Sequence, residues 1–331
     1  MGLNSNVTTC AACEATGVCL KEGAYNALVR TARRAHVVVI GSLNLDWIIY
    51  TEQEPSPDES LYVHRTEFLS GGHAGNCAAA LGTLGVSTRI IGSVGADANG
   101  RALLDDLQEH GVDTSFVHQD PLKQTGQVVI PVFPGSHYML MLRGANDSLR
   151  ASALKPLIHE RVDAVIVFDP TQEVLRACVE QFAVEPHDRP LLCWAPVGLY
   201  SDHKIATEII PFCDVIFLNR IELAKISRHC PDIIERFDNI DIVVTLGSDG
   251  SVLHRKGKRY AVPAQNVKVV DAIGGGDAFA ATYVLARLAD CAPEARLELA
   301  NASGAFAVGA AGARGHLASL LELAIPEAVA G

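Results

Sequence analysis

The sequence predicts an α/β protein, with a doubly wound, mostly parallel sheet flanked by helices and a small β-sheet lid. Three observations carry this reading. Short β-branched runs recur at 37–40, 89–92, 164–168, 215–218 and 242–246. Such runs are apolar throughout, as strands buried on both faces are. Helical patterns lie between them. In the stretch 100–110, Leu103, Leu104 and Leu107 share one face, and Gly111 ends it. Further helices are expected at 77–84, 221–226, 278–288 and 297–308. Strand–helix alternation at this spacing means right-handed βαβ crossovers, with ligands at the carboxyl ends of the strands. Third, two stretches break the pattern. Residues 47–69 hold short β-like pieces around Pro55 and Pro57, and residues 126–142 hold two strand-like runs joined by Pro134-Gly135. Both read as strands outside the main sheet, forming the lid.

The chain has 331 residues, 49% hydrophobic and 20% charged, enough to bury a large core. Its formal net charge of -11, with no basic stripe, argues against nucleic acid and anionic membranes as partners. No apolar run reaches the roughly 18 residues of a membrane span. Nine scattered cysteines, among them Cys77, Cys178, Cys193 and Cys213 inside apolar runs, fit reduced thiols and a cytoplasmic location. Residues 1–35 read as a poorly ordered leader, with the α/β core pattern running over 36–325. Cys10, Cys13 and Cys19 in the leader lack a convincing fourth zinc ligand.

The strongest chemical signal is Asp271-Ala272-Ile273-Gly274-Gly275-Gly276-Asp277. It follows the strand-like run 267–270 and opens the helix expected from Ala278. Glycines at a helix N-terminus leave backbone N–H groups pointing outward, where the macrodipole adds positive charge. That cradle suits charge on a transferring phosphoryl group. Asp277 at its mouth can accept a proton from a hydroxyl. A plain turn with an N-capping aspartate would use the same residues. Gly72 and Asn76 lie in a second glycine-rich turn before a helix, where Asn76 can bind a sugar hydroxyl or cap the helix. Asn44 and Asp46, after the first strand, can bind adjacent hydroxyls or serve ordinary turn chemistry. Asn219 and Glu222 can hold hydrated Mg²⁺ near phosphates or form a capping box. No Walker-type phosphate loop is present, since the glycine turn at Gly247 and Gly250 lacks the lysine.

These motifs occur in the order G-S-x-N-x-D, G-G-x-x-x-N, N-x-x-E, T-L-G-S-x-G and D-x-x-G-x-G-D. In that order the chain resembles the ribokinase-like (PfkB-type) sugar kinase family, from about Val37 to about Gly315. The resemblance implies ATP as phosphoryl donor, Mg²⁺, and a small sugar or nucleoside as acceptor. It implies Asp277 as the base and the backbone of Gly274, Gly275 and Gly276 as the anion hole. It assigns Asn44, Asp46, Gly72, Asn76 and Asp169 to the sugar, with Asp169 standing where the family carries glutamate. Asn219, Thr245, Gly247, Gly250 and Asn301 fall on the nucleotide side. Glu222 falls on Mg²⁺, through water, and Asp271 beside a monovalent cation such as K⁺. The segments Thr125-Gly126 and Gly144-Ala145-Asn146 resemble the ribokinase branch and point to D-ribose.

Departures fall on the sugar pocket and the cation site. Ala272 replaces a threonine, His73 replaces a lysine, and Ala313-Arg314-Gly315-His316 lacks the usual Pro-Ser. The rivals are a nucleoside kinase of the same family, with Trp47 and Phe68 to stack a base, and a catalytically silent sugar-binding regulator. His73, His137, Arg143 and Trp194 receive no catalytic assignment from the sequence. Lid strands with exposed edges would favour a homodimer.

Overall fold

A computed structural model describes residues 22–58, 60–183 and 189–324 of the chain. Among them, nine strands form one sheet. Its order is Lys258–Val262, Ser251–Arg255, Asp241–Thr245, Val215–Asn219, Leu191–Trp194, Ala164–Val167, His36–Ile40, Ser87–Ile91 and Val112–Asp113. The seven strands from Asp241–Thr245 to Val112–Asp113 are parallel, and the two at the other edge run antiparallel. The order moves outward in both directions from the adjacent His36–Ile40 and Ala164–Val167 strands, which is the doubly wound arrangement expected.

The central strand shows why an unbroken apolar run was needed. Val37 and Val39 enter one core, with the helices His73–Thr83, Gly275–Leu288 and Pro293–Val308. Val38 and Ile40 enter the opposite core, with Gln172–Phe182 and Ile205–Ile209. Period-2 alternation on a strand covered on both faces demands hydrophobes at every position. Trp194 belongs to the second core, fully buried, and its indole N–H donates to Phe168 O at 3.0 Å.

The lid is a separate five-stranded sheet. Asn44–Tyr50 lies between Arg65–Gly71, antiparallel, and Gly126–Phe133, parallel, with Leu140–Leu142 beyond and Ser136–His137 pairing on Gly126–Phe133. Its inner face carries Ile48, Val128 and Ile130, which pack with Leu69 and with Ile273 of the glycine-rich loop. The lid therefore rests on the loop that opens the Gly275–Leu288 helix.

Two expectations are corrected. The run 267–270 is not a strand. Val269 and Val270 are exposed, and the N–H groups of Val270 and Asp271 both donate to Val308 O. These N–H groups go to the end of the Pro293–Val308 helix and not to a strand, and propensity alone does not make a strand. The stretch assigned to the leader is also shorter than expected. Glu22–Ala32 is a helix, and its Leu28 and Ala32 are buried in the first core beside Gly275–Leu288. Cys10, Cys13 and Cys19 lie outside the described residues.

One buried ionic group holds the antiparallel edge to the helices. Asp241 is fully buried. It accepts from Tyr283 Oη at 2.8 Å and from Arg296 at 3.3 Å, pairs with Arg255, and has Arg287 at 3.5 Å. Removing the carboxylate leaves the buried Arg296 without a counter-charge. Asp241→Ala is expected to cost about 3–5 kcal/mol of unfolding free energy, read by urea denaturation. A loss under about 1 kcal/mol would show that water reaches the cluster and compensates.

Candidate active site

The glycine-rich loop is shaped by backbone constraints. Gly274 is left-handed, with φ 81° and ψ -12°, and a Cβ there would lie 2.6 Å from Ala313 Cα. Only glycine meets both conditions without strain. Asp271 closes the loop: its two carboxylate oxygens accept from Ile273 N and Gly312 N, each at 3.0 Å. The helix Gly275–Leu288 then begins. The N–H groups of Asp277 and Ala278 donate back to Gly274 O, which leaves those of Gly275 and Gly276 at the mouth without an intrahelical acceptor. Nothing lies within 4 Å of a Cβ placed on Gly276, so its face is open.

Asp277 sits in the first turn, buried to 6% exposure. Its Oδ2 accepts from Asn76 Nδ2 at 2.9 Å, and its Oδ1 lies 3.0 Å from His73 Nδ1. Both partners come from the His73–Thr83 helix, whose N-cap is Gly72 at φ 86°. The glycine turn at Gly72 thus aims one helix at another, and two sequence motifs 201 residues apart meet at one carboxylate.

Beside Asp277 lies the start of the lid. Asn44 and Asp46 are both buried on the Asn44–Tyr50 strand. Asn44 Oδ1 accepts from Asn146 Nδ2 at 2.8 Å, and Asn146 Oδ1 accepts from Leu43 N at 2.9 Å. Asn146, from the Gly144-Ala145-Asn146 segment, therefore pins the loop that presents Asn44. Asp46 Oδ1 is buried with no hydrogen-bond partner within the protein. Burial pushes its carboxyl up to about 7. The Arg314 and His73 charges pull the other way, and the Asp271 and Asp277 carboxylates add to the rise. Asp169 ends the Ala164–Val167 segment. Its Oδ1 accepts from Ser42 N at 2.9 Å, and its other oxygen is 3.9 Å from Arg143. Arg143 also pairs with Asp147 at 2.6 Å, so it is engaged rather than solvated.

Beside the start of the Gly275–Leu288 helix, the signature helix named for its glycine-rich turn, runs a cleft of about 470 Å³, lined by Thr245, Gly247, Gly250, Gly276, Phe279 and Asn301 among others. Asn301 Nδ2 donates to Val262 O and Pro263 O, fixing the cleft's edge. Gly276 lines this cleft, and the neighbouring Asp277 bonds Asn76, so the signature turn separates a groove from a polar pocket. At the end of the Val215–Asn219 strand, Asn219 and Glu222 form a complete capping box, with Glu222 N on Asn219 Oδ1 and Asn219 N on Glu222 Oε2, each 2.9 Å. Burial raises the Glu222 carboxyl, the Asn219 N–H opposes this, and the charges of His73 and Asp277 reach it across the cleft.

Comparison with known proteins gives this arrangement a family. The pfkB family carbohydrate kinase pattern matches residues 34–319. The chain belongs to the pfkB family of carbohydrate kinases. It is 29% identical over 283 residues to an ATP-dependent ribose-1-phosphate kinase of Halopiger xanaduensis, covering 84% of this chain and 93% of that protein. It is 26% identical over 292 residues to a ribokinase of Lactococcus lactis, covering 87% and 95%. The fold matches a nucleoside kinase of Methanocaldococcus jannaschii from the ribokinase family, with TM-score 0.76 and 24% identity, over 88% of this chain and 97% of that one.

In this pfkB kinase the sequence reading missed Arg314. It is buried and lies beyond the last long helix. Its Nε donates to Asn76 Oδ1 at 3.1 Å, one terminal nitrogen donates to Gly71 O at 3.0 Å, and the other pairs with Asp106. Asn76 thus receives from Arg314 on one atom and gives to Asp277 on the other, which fixes its amide orientation. A Cβ on Gly75 would lie 2.2 Å from Arg314, so the space for the guanidinium is made by that glycine. The signal in the sequence was only a departure, an arginine where Pro-Ser was expected. Trp47 and Phe68, offered to a nucleobase, stack on each other at 5.7 Å and 16°. Trp47 neighbours Asp46 on the same strand, so it points to the opposite face of the lid, away from the pocket. That correction removes both rings from the acceptor site.

The Asp46 carboxyl yields a signed prediction. Its folded value near 7 lies above the unfolded 3.8, so the stability it lends at low pH is lost as pH rises towards 7. Asp46→Asn is expected to raise the melting temperature of the ligand-free protein. The gap over wild type should widen from about pH 4 to about pH 7 and then stay constant. A constant gap across that range would mean that Asp46 titrates normally in the fold.

Proposed function

We propose that this kinase transfers the γ-phosphoryl group of ATP to a primary hydroxyl of a small neutral sugar, D-ribose giving ribose 5-phosphate. The observation that carries the reading is the position of Asp277. It stands at the N-terminus of the signature helix, between a polar pocket of Asn44, Asp46 and Asn76 and the cleft lined by Thr245, Gly247, Gly250 and Asn301. Sugar and nucleotide would approach from opposite sides and meet there.

The chemistry follows from that placement. Asp277 accepts the proton of the acceptor hydroxyl as its oxygen bonds to the γ-phosphorus and the bond to the β-bridging oxygen breaks, releasing ADP. The Gly275 and Gly276 N–H groups and the helix dipole meet the charge on the transferring group. Asp46, with its unpartnered buried oxygen, and Asn44 receive the sugar hydroxyls. The lid touches the loop at Ile273, so its closure over a bound sugar would exclude water there. Asn219 and Glu222 would hold Mg²⁺ through water, and a cation there would offset the desolvation that raises the Glu222 carboxyl. When bound, Mg²⁺ neutralises phosphate charge. No step is assigned to potassium, because both oxygens of Asp271 serve backbone N–H groups and Ala272 offers no side-chain oxygen.

A ribose-sized acceptor is supported by the Asn146 brace on Asn44, which lies in a segment resembling ribokinases. The six cysteines among the described residues are free and buried, in keeping with work in a reducing cytoplasm. The lid also supports a homodimer. Tyr138, Met139, Leu140, Met141 and Leu142 are consecutive and exposed on its edge, and Phe68 is exposed on its sheet. Monomers rarely leave a run of that kind uncovered.

Two measurements check these readings. ADP release with Mg-ATP is followed against ribose, 2-deoxyribose, fructose, adenosine, inosine and pseudouridine. Ribose is expected to turn over, and Asp277→Asn to lower kcat by about 10²–10⁴-fold while ATP still binds. Turnover confined to a nucleoside would replace the acceptor. ATP binding without turnover on any acceptor would favour a sugar-binding regulator. Light scattering at micromolar concentration is expected to give a dimer, reduced to monomer by Leu140→Glu. A wild-type monomer would count against the lid interface.

A further inference from the structure

His73 replaces the lysine that the ribokinase branch carries, and the structure gives it a position the sequence did not suggest. It is the first residue of the His73–Thr83 helix, with Nδ1 3.0 Å from Asp277 Oδ1. Its ring lies parallel to Phe168, centroids 6.0 Å apart at 9°, and Phe168 is fixed in the core. The stack sets the plane of the imidazole, and the helix sets its reach. The side chain remains 37% exposed, so one edge faces the open cleft.

We propose that His73 is the positioning residue for the base: as an imidazolium it grips Oδ1 of Asp277 while Asn76 grips Oδ2, holding the carboxylate in one rotamer until the acceptor hydroxyl arrives. The proposal rests on the kinase reading above. Four carboxylates surround the ring: Asp277 on the signature helix, Asp169 at the end of Ala164–Val167, Glu222 after Val215–Asn219, and Asp46 on the lid strand. Arg314 supplies a second cation on the other side of Asn76, and the buried Cys77 thiol stays neutral one turn along the helix. Burial works to lower the imidazole, but the Asp277 charge and hydrogen bond, with Asp169 and Glu222, carry it up to about 10. That rise favours the imidazolium, whose contact with Asp277 is a charge-assisted hydrogen bond.

For a loose phosphoryl-transfer transition state the proton has little work to do, whereas a fixed carboxylate orients the nucleophile. Placement then matters more than basicity. A lysine would supply charge at this position without the rigid plane that the Phe168 stack gives an imidazole.

The test compares His73→Gln, a neutral hydrogen-bond donor, with His73→Lys, a cation. The Gln variant is expected to lower kcat about 10- to 100-fold with the acceptor KM little changed. The Lys variant, which keeps the charge without the stacked plane, is expected to restore part of that kcat. A Gln variant with wild-type kcat would overturn the proposal. So would a Lys variant as impaired as Gln, at an unchanged melting temperature. A second arm does not depend on activity. Long-range ¹H–¹⁵N spectra of the ligand-free protein at pH 8 should show His73 doubly protonated, and neutral in Asp277→Asn. A neutral ring in the wild type sinks the ion pair whatever the enzyme phosphorylates. A charged ring in a protein inactive on every acceptor would instead overturn the kinase reading.

Discussion

The buried guanidinium of Arg314 is the contact on which the pocket depends. It comes from the loop after the Pro293–Val308 helix and reaches three elements at once: Asn76 on the His73–Thr83 helix, Gly71 O on the lid, and Asp106 on the Ala98–Glu109 helix. A charge removed from water needs a counter-charge and filled donor positions. Asp106 supplies the first, and Asn76 and Gly71 supply acceptors. The C-terminal loop, the lid and two N-terminal helices are therefore held in one arrangement. Asn76 is oriented by Arg314 before it donates to Asp277.

Two kinds of charge arrangement recur. Around Asp241 the charges are matched within the protein, with Arg296, Arg255, Arg287 and Tyr283 meeting a fully buried carboxylate. That cluster joins the antiparallel sheet edge to the long helices. Around Asp277 the charges are left unfinished. Asp46 keeps an oxygen without a partner, and His73 keeps an exposed edge. A protein that spends stability on an unpaired buried carboxyl has placed it for something that binds. The contrast separates the structural cluster from the functional one.

The parallel sheet and its helices were legible because they follow periodicity. Strands buried on both faces need continuous hydrophobes, and the runs at 37–40, 164–168 and 242–246 became strands of the central sheet. The run 267–270 was also β-branched and did not, since Val270 and Asp271 donate to Val308 O, a tertiary contact that composition does not report. The leader's Leu28 and Ala32 were equally unreadable, because a single buried stripe on a short helix has no signal beyond its partner's surface.

The sequence by itself determined the fold class, the order of the motifs and the identity of the candidate base. Each of these is local: a β-branched run, a glycine turn at a helix start, an aspartate beside it. Tertiary structure alone decided which charges meet. His73 and Asn76 reach Asp277 across about two hundred residues, Arg314 crosses further to reach Asn76, and Trp47 turns away from the pocket because Asp46 turns in. Hydrogen bonds and ion pairs act over a few ångströms. Separation along the chain says nothing about such distances until the sheet has folded.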